Sequence, residues 1–446
     1  MHERLALMMH AAIYALRGGF LVRPLVIAIV LGISGAILSS AEEALPQIGA
    51  WIPEVLFPSR QDPQVAQVIL SAIATSIMTV VSIVFAILLM TLTLASTQFS
   101  PRILVSFVRD RSTQWTLGVF LGTFSYCIAA LPAARALPTP FVPVATVAGA
   151  MLLVLLCVGW LIFFINHISQ SISVNHIVDR IARETELVID ELMPRHRGPL
   201  DLQETLPTFS IDGEISVPNE RSGYIRFVDL DYLLALAKSH HIRIRLQRRV
   251  GHFVPENVPL MKVTREERVT SEVKRQLLAA FDIGPARTMQ QDVEFGIIQI
   301  VDIALRAISP AVNDPSTAIS CIDQLSRILS RWINRIPPPT YFYDPPHKLR
   351  LVVPWIDFNG LMDTAFEQIR HYSASDIAVS LRLLRAFGDL TSSISDPNLR
   401  SLVIGRAERV VAGCSDRLPE DDLVKLRHRM AQLIAVSTKL SEVSLS

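Results

Sequence analysis

Asp302, Arg306, Asn313, Asp314 and Thr317 fall within the stretch "VDIALRAISPAVNDPST". The oxygens of Asp302, Asn313, Asp314 and Thr317 are of the kind that hold Mg²⁺ or Ca²⁺. Backbone amides at Ser316 and Thr317, if they open a helix, could instead hold an anion. A simpler account competes with both. Asp314 is a natural helix N-cap, Pro315 a natural first helical residue, and Asn313 suits a left-handed turn position. The stretch then reads as a tight connector in a helical hairpin, its cap worth about 1 kcal/mol.

A second pattern involves hydroxyls. Ser71, Thr75, Thr79 and Ser82 recur at spacings of four, four and three, so a helix puts them on one face. Thr93 and Thr97 extend the stripe. Such a face can line a water-filled path in an oligomer, or can let two helices approach closely.

The elements that must carry these residues follow from composition. Half of the 446 residues are hydrophobic, only 19% are charged, and the long apolar runs fall before residue 170. Four runs are long enough to cross a bilayer: Leu21–Ser39, Val65–Ala95, Trp115–Leu131 and Val142–Ile165. The first could be a cleaved signal, but some twenty residues precede it, which is long for a signal leader. In the third, Gly118 and Gly122 form a small-xxx-small pair suited to helix contact. Pro101 should end the second helix, leaving Arg102 at headgroup level as an anchor to the lipid bilayer.

Basic residues set the orientation. Arg4, Arg17, Arg23, Arg102, Arg109 and Arg111 lie on one side, against Arg60 and Arg135 on the other. Both termini should therefore be cytoplasmic. No Asp, Glu, Lys, Arg or His occupies the middle of a run, which argues against a proton- or ion-coupled pump. Cys127 and Cys157 lie in the runs and Cys321 and Cys414 beyond them, so no disulfide framework is implied.

The expected fold is an α-helical integral membrane protein with four transmembrane helices and a mostly helical α+β cytosolic region. Its parts are a transmembrane domain over 1–165, a linker helix and loop over 166–221, a small β-rich module over 222–263 and a helical domain over 264–446. The linker helix should continue from the fourth span. His167 and His176 fall on opposite faces of such a helix. His240 and His241, adjacent in a strand, would point apart. Neither pair suits a shared metal.

In the β-rich module "VGHFVPENVPL" resembles half of a barrel-sandwich hybrid of the biotinyl-carrier kind. Lys262 follows the last expected strand rather than sitting in a hairpin turn, so covalent cofactor attachment is not expected. "RIRLQRR" alternates as a half-solvated strand does, and with a net charge of +1 nucleic acid is not an expected partner. The run 291–308 is apolar around most of its circumference, so it should be buried, with Gln299, Asp302 and Arg306 in one narrow stripe.

"LTLASTQFSPR", "SGYIRFVDLDYLL" with "GHFVPENVPL", and above all "FGIIQIVDIALRAISPAVNDPSTA" resemble an uncharacterised family of predicted bacterial membrane proteins, domain of unknown function 2254. The resemblance implies a multi-span bacterial inner-membrane protein and carries no catalytic residue. There is no nucleophile elbow, P-loop, HExxH, paired CxxC or dinucleotide fingerprint. The expected function is therefore a channel-like homo-oligomer passively conducting ions or small solutes. The alternatives are a membrane-anchored ligand sensor or scaffold, and an enzyme using metal at the Asp314 turn.

Overall fold

The structure is a computed structural model describing residues 22–45, 47–50, 52, 62–98, 111–135, 140–171, 173–193, 214–264, 266–345 and 348–443. The chain divides into two units, Met1–Ser173 and Val174–Ser446.

The first unit contains α1 (Val22–Ala44), α2 (Pro63–Gln98), α3 (Arg111–Ala130) and α4 (Val144–Ser171). All four are long and apolar enough to cross a membrane. Helix α3 is central and packs against the other three. Gly118 and Gly122 meet α1: a Cβ on Gly118 would lie 2.5 Å from Ile27 Cδ1, and one on Gly122 2.4 Å from Leu31 Cδ1. The small-xxx-small pair is thus a helix contact.

Buried Glu42, at the end of α1, closes the top of the bundle. Its carboxylate accepts from the Ala145 N–H (2.7 Å), the Thr146 N–H (3.0 Å) and the Thr146 hydroxyl (3.0 Å). The first turn of α4 has orphan amides and a positive dipole end, and Glu42 supplies the missing acceptors from another helix. Arg102 lies outside the described residues, as does the side chain of Thr97.

The second unit begins with α5 (Val174–Leu192), an amphipathic helix separate from α4 rather than its continuation. Two small sheets follow. One has the order β1-β5-β3-β8-β7, built from β1 (Glu214–Pro218), β5 (Pro259–Thr264), β3 (Ile244–Leu246), β8 (Lys348–Val352) and β7 (Tyr341–Asp344). The other has the order β4-β2-β6, from β4 (Phe253–Val254), β2 (Gly223–Val228) and β6 (Phe281–Gly284). All pairings are antiparallel except β3 with β8. The strands therefore reach beyond 222–263 at both ends. They share a core with α6 (Leu230–Ser239) and α7 (Ser271–Ala279) that includes Ile225, Leu233, Ile244, Met261 and Leu351.

Two expectations change here. His240 caps α6 and His241 sits in a left-handed turn at φ 53°, so neither lies in a strand. Lys262 is inside β5, paired with Ser216 and Arg245, rather than after it.

The helical part comprises α8 (Val293–Ala307), α9 (Pro315–Ile333), α10 (Phe358–Met362 through a π turn, Asp363–Glu367, to Gln368–Tyr372), α11 (Ile377–Ser393), α12 (Pro397–Cys414) and α13 (Glu420–Val443). Helices α5, α8 and α9 pack together. Polar contacts run down the α5–α9 seam: Ser320 donates its hydroxyl to Asn175 Oδ1 (2.9 Å), and ion pairs join Arg327 to Asp179 (2.8 Å) and Arg331 to Asp190 (Nε–Oδ1 2.9 Å). Position rises on both helices together, so they run parallel.

Candidate functional site

The hydroxyl stripe stands on the outward side of α2. Ser71, Thr75, Thr79 and Ser82 are all exposed and line an open groove of about 520 Å³, opposite Phe124, Ile128 and Leu131. Within the stripe, Ser71 donates to Val68 O, Thr79 to Thr75 O and Ser82 to Met78 O, each at 3.0 Å. Thr93 is exposed on the same helix and donates to Leu89 O (2.8 Å), but lies outside the groove. A hydroxyl that donates to its own helix keeps lone pairs facing outward, so this surface offers acceptors along one wall and apolar carbon along the other. The outward face of α4 differs: Leu152, Leu155, Val158, Ile162 and Ile165 make it apolar.

At the α8–α9 turn the local geometry follows the sequence closely. Asn313 adopts φ 49°, and Asp314 caps α9 with Pro315 in its first turn. Thr317 engages both carboxylate oxygens, through its N–H (3.1 Å) and its hydroxyl (2.6 Å). These two bonds, the hydroxyl's first, hold the Asp314 carboxyl below the usual carboxylate range. Asp314 is also one of a series. Helices α6, α8, α10, α11 and α12 are capped in the same way by Asp229, Asp292, Asp357, Asp376 and Asp396. Capping by aspartate is this unit's general device, which lowers the case for a special role at Asp314.

The structure joins Asp314 to Thr317. Asp302 is half-buried within α8, and Asn313 is exposed. Arg306, expected in a buried stripe, is exposed in the last turn of α8, where a cation suits the helix dipole. Gln299 is buried as expected. Among the described residues no three His, Cys, Asp or Glu side chains group as a metal site.

A charged cluster at the other end of α8 escaped the sequence reading. Arg287 donates Nε–H to Asp292 Oδ2 and an Nη2 N–H to Asp292 Oδ1, both at 2.8 Å, and also reaches Glu294 Oε2 at 3.0 Å. Arg249 reaches Glu294 Oε1 at 3.1 Å, and Thr364 donates to the same oxygen at 3.2 Å. Burial opposes the ionised form of Glu294, but Arg249 and Arg287 outweigh it and hold its carboxyl below the usual range. Arg249 belongs to the turn after β3, so the alternation in "RIRLQRR" does not extend to it. The available signal was "QDVEFG": two acids opening a buried helix require basic partners, though which ones the sequence does not say.

Four bilayer-length apolar helices, followed by a helical unit with small sheets, define a polytopic membrane protein class. Residues 17–389 match the family described as "Predicted membrane protein (DUF2254)", and the chain belongs to that family. It is similar to an uncharacterized protein of Mycobacterium tuberculosis, 32% identical over 88% of this chain and 76% of the relative. It is equally similar to one of Mycobacterium bovis, 32% identical over the same shares. No solved structure matches the chain.

Proposed function

We propose that the protein is a homo-oligomeric, channel-like component of the bacterial inner membrane. The hydroxyl face of α2 lines a passive path for ions or small solutes. Both termini are cytoplasmic, and the second unit is a cytosolic regulatory domain. The observation that carries this reading is the exposed row of Ser71, Thr75, Thr79 and Ser82 along an open groove, beside an apolar outer face on α4. Copies arranged around an axis would bring such faces together, where hydroxyl oxygens substitute for part of a hydration shell. The excess of arginines in the N-terminal segment and the second loop supports the orientation.

One observation favours a second reading. Because the stripe's hydroxyls donate to their own helix, the same face can rest against another helix. The spans would then only anchor a cytosolic ligand sensor or scaffold. Conductance of the purified protein in planar bilayers separates the two. The channel reading expects unitary currents that Thr79→Leu abolishes or sharply reduces while the oligomer stays intact. The anchor reading expects no current from either protein.

A further inference from the structure

The charged cluster at the start of α8 holds one titratable group that its salt bridges do not use. The turn between β3 and β4 carries Arg248, Arg249, Gly251 and His252. Gly251, at φ 88°, lets this turn press against α8: a Cβ there would lie 2.4 Å from Asp292 Oδ2 and 2.6 Å from Arg287 Nη2. Arg249 spans the contact, giving one N–H to Glu294 and its Nε–H to His252 Nε2 at 2.8 Å.

A guanidinium can only donate, so His252 Nε2 must carry a lone pair and the ring must be the neutral Nδ1–H tautomer. The groups facing the ring are Arg248 and Arg249 from its own turn, Arg287 from the segment after β6, and Glu294 from α8. The salt bridges set two guanidiniums against the two carboxylates of Asp292 and Glu294, a balanced set largely withdrawn from water. A proton on His252 would leave that set one positive charge in excess. It would also point an N–H at the Arg249 N–H, where a hydrogen bond now stands.

We propose that His252 is the catch of a proton-released latch: neutral, it holds Arg249 across the contact and fastens the β3–β4 turn to α8, and protonated, it lets the turn go. Burial first, then Arg249, with Arg248 and Arg287 adding and Glu294 opposing, already holds the ring's pKa below the ordinary histidine value. The sign follows by linkage. A histidine with a depressed folded-state pKa binds fewer protons in the closed form than in the open form. Latch stability is therefore complete above about pH 6.5, the ordinary histidine value, and drains as pH falls below it. What opens is the joint between the small sheets and the helix that packs against α5 and α9. The latch does not depend on the channel reading, and its test measures no current.

The test is hydrogen–deuterium exchange on the full-length protein in nanodiscs, at about pH 7.5 and about pH 5, corrected for intrinsic exchange. In the wild type, peptides over 247–254 and 292–297 should lose protection on acidification, by at most about tenfold for each pH unit below about 6.5. His252→Gln, whose amide oxygen still accepts but cannot be protonated, should keep its protection at both pH values. Unchanged wild-type protection, or the same loss in His252→Gln, overturns the proposal. If the variant does not fold, the ¹⁵N shifts of wild-type His252 decide. A neutral Nδ1–H ring above the midpoint that converts to imidazolium as protection is lost supports the latch. An Nε2–H ring, or loss of protection without protonation, overturns it.

Discussion

Asp292→Ala should destabilise the second unit by about 3–5 kcal/mol, the cost of breaking a buried ion pair from one side. Asp292 is 4% exposed and does two jobs. It accepts the Phe295 N–H at 3.0 Å as the cap of α8, and it takes two N–H groups of Arg287. Alanine removes both functions and leaves most of the Arg287 fork without a partner in a poorly hydrated site. Asp292→Asn keeps a single oxygen, which can still accept from the Phe295 N–H and from Arg287 Nη2, but it sets an NH2 against the Arg287 Nε–H, so it should lose less than alanine. Equilibrium denaturation of the full-length protein, followed by limited proteolysis within 214–443, reads the difference. A loss below about 1 kcal/mol for the alanine variant would place the pair among ordinary surface contacts and refute its structural role.

Gly296→Val should be the next most damaging change, costing about 3 kcal/mol by overpacking. At most helical positions, replacing glycine by a residue with a side chain gains helix propensity. Here the added Cβ would stand 2.0 Å from Thr185 Oγ1 and 3.0 Å from Thr185 Cβ on α5. Thr185 cannot simply turn away, since it is fully buried and its hydroxyl donates to Ile181 O at 2.7 Å. Helices α5 and α8 would have to part. Thr185→Ala in the Gly296→Val background should recover part of the loss, a coupling that a double-mutant cycle measures directly. Additive losses would show that the two helices do not meet at this point.

What the sequence made legible was local. Runs of apolar residues located α1 to α4 because bilayer length is a strong constraint on composition. The Asn-Asp-Pro turn could be read residue by residue, since φ > 0, a cap and a first-turn proline each have their own residue signature. The same signature stands at Asp357, Asp376 and Asp396, which cap α10, α11 and α12, and there it went unread. Illegible were the contacts between distant segments. The parallel pairing of β3 with β8 joins Ile244 to Leu351, and nothing near either residue specifies the other. Arg249 finds Glu294 across three strands and a helix. Arg306 was misplaced because a narrow polar stripe on an apolar helix looks alike whether it is buried or projects at the helix end. The hydroxyl stripe was visible as a pattern, but its exposure depended on how α3 fills the bundle.

The most direct test of the central claim is thiol accessibility at Thr75→Cys in the membrane, using a charged, water-soluble methanethiosulfonate. Cys127, Cys157, Cys321 and Cys414 are all buried, which keeps the background low. If the α2 face lines an aqueous path, the new thiol reacts in the folded protein and the current changes as it does so. If that thiol reacts only after denaturation, the stripe lies against lipid or another helix, and the channel reading is wrong.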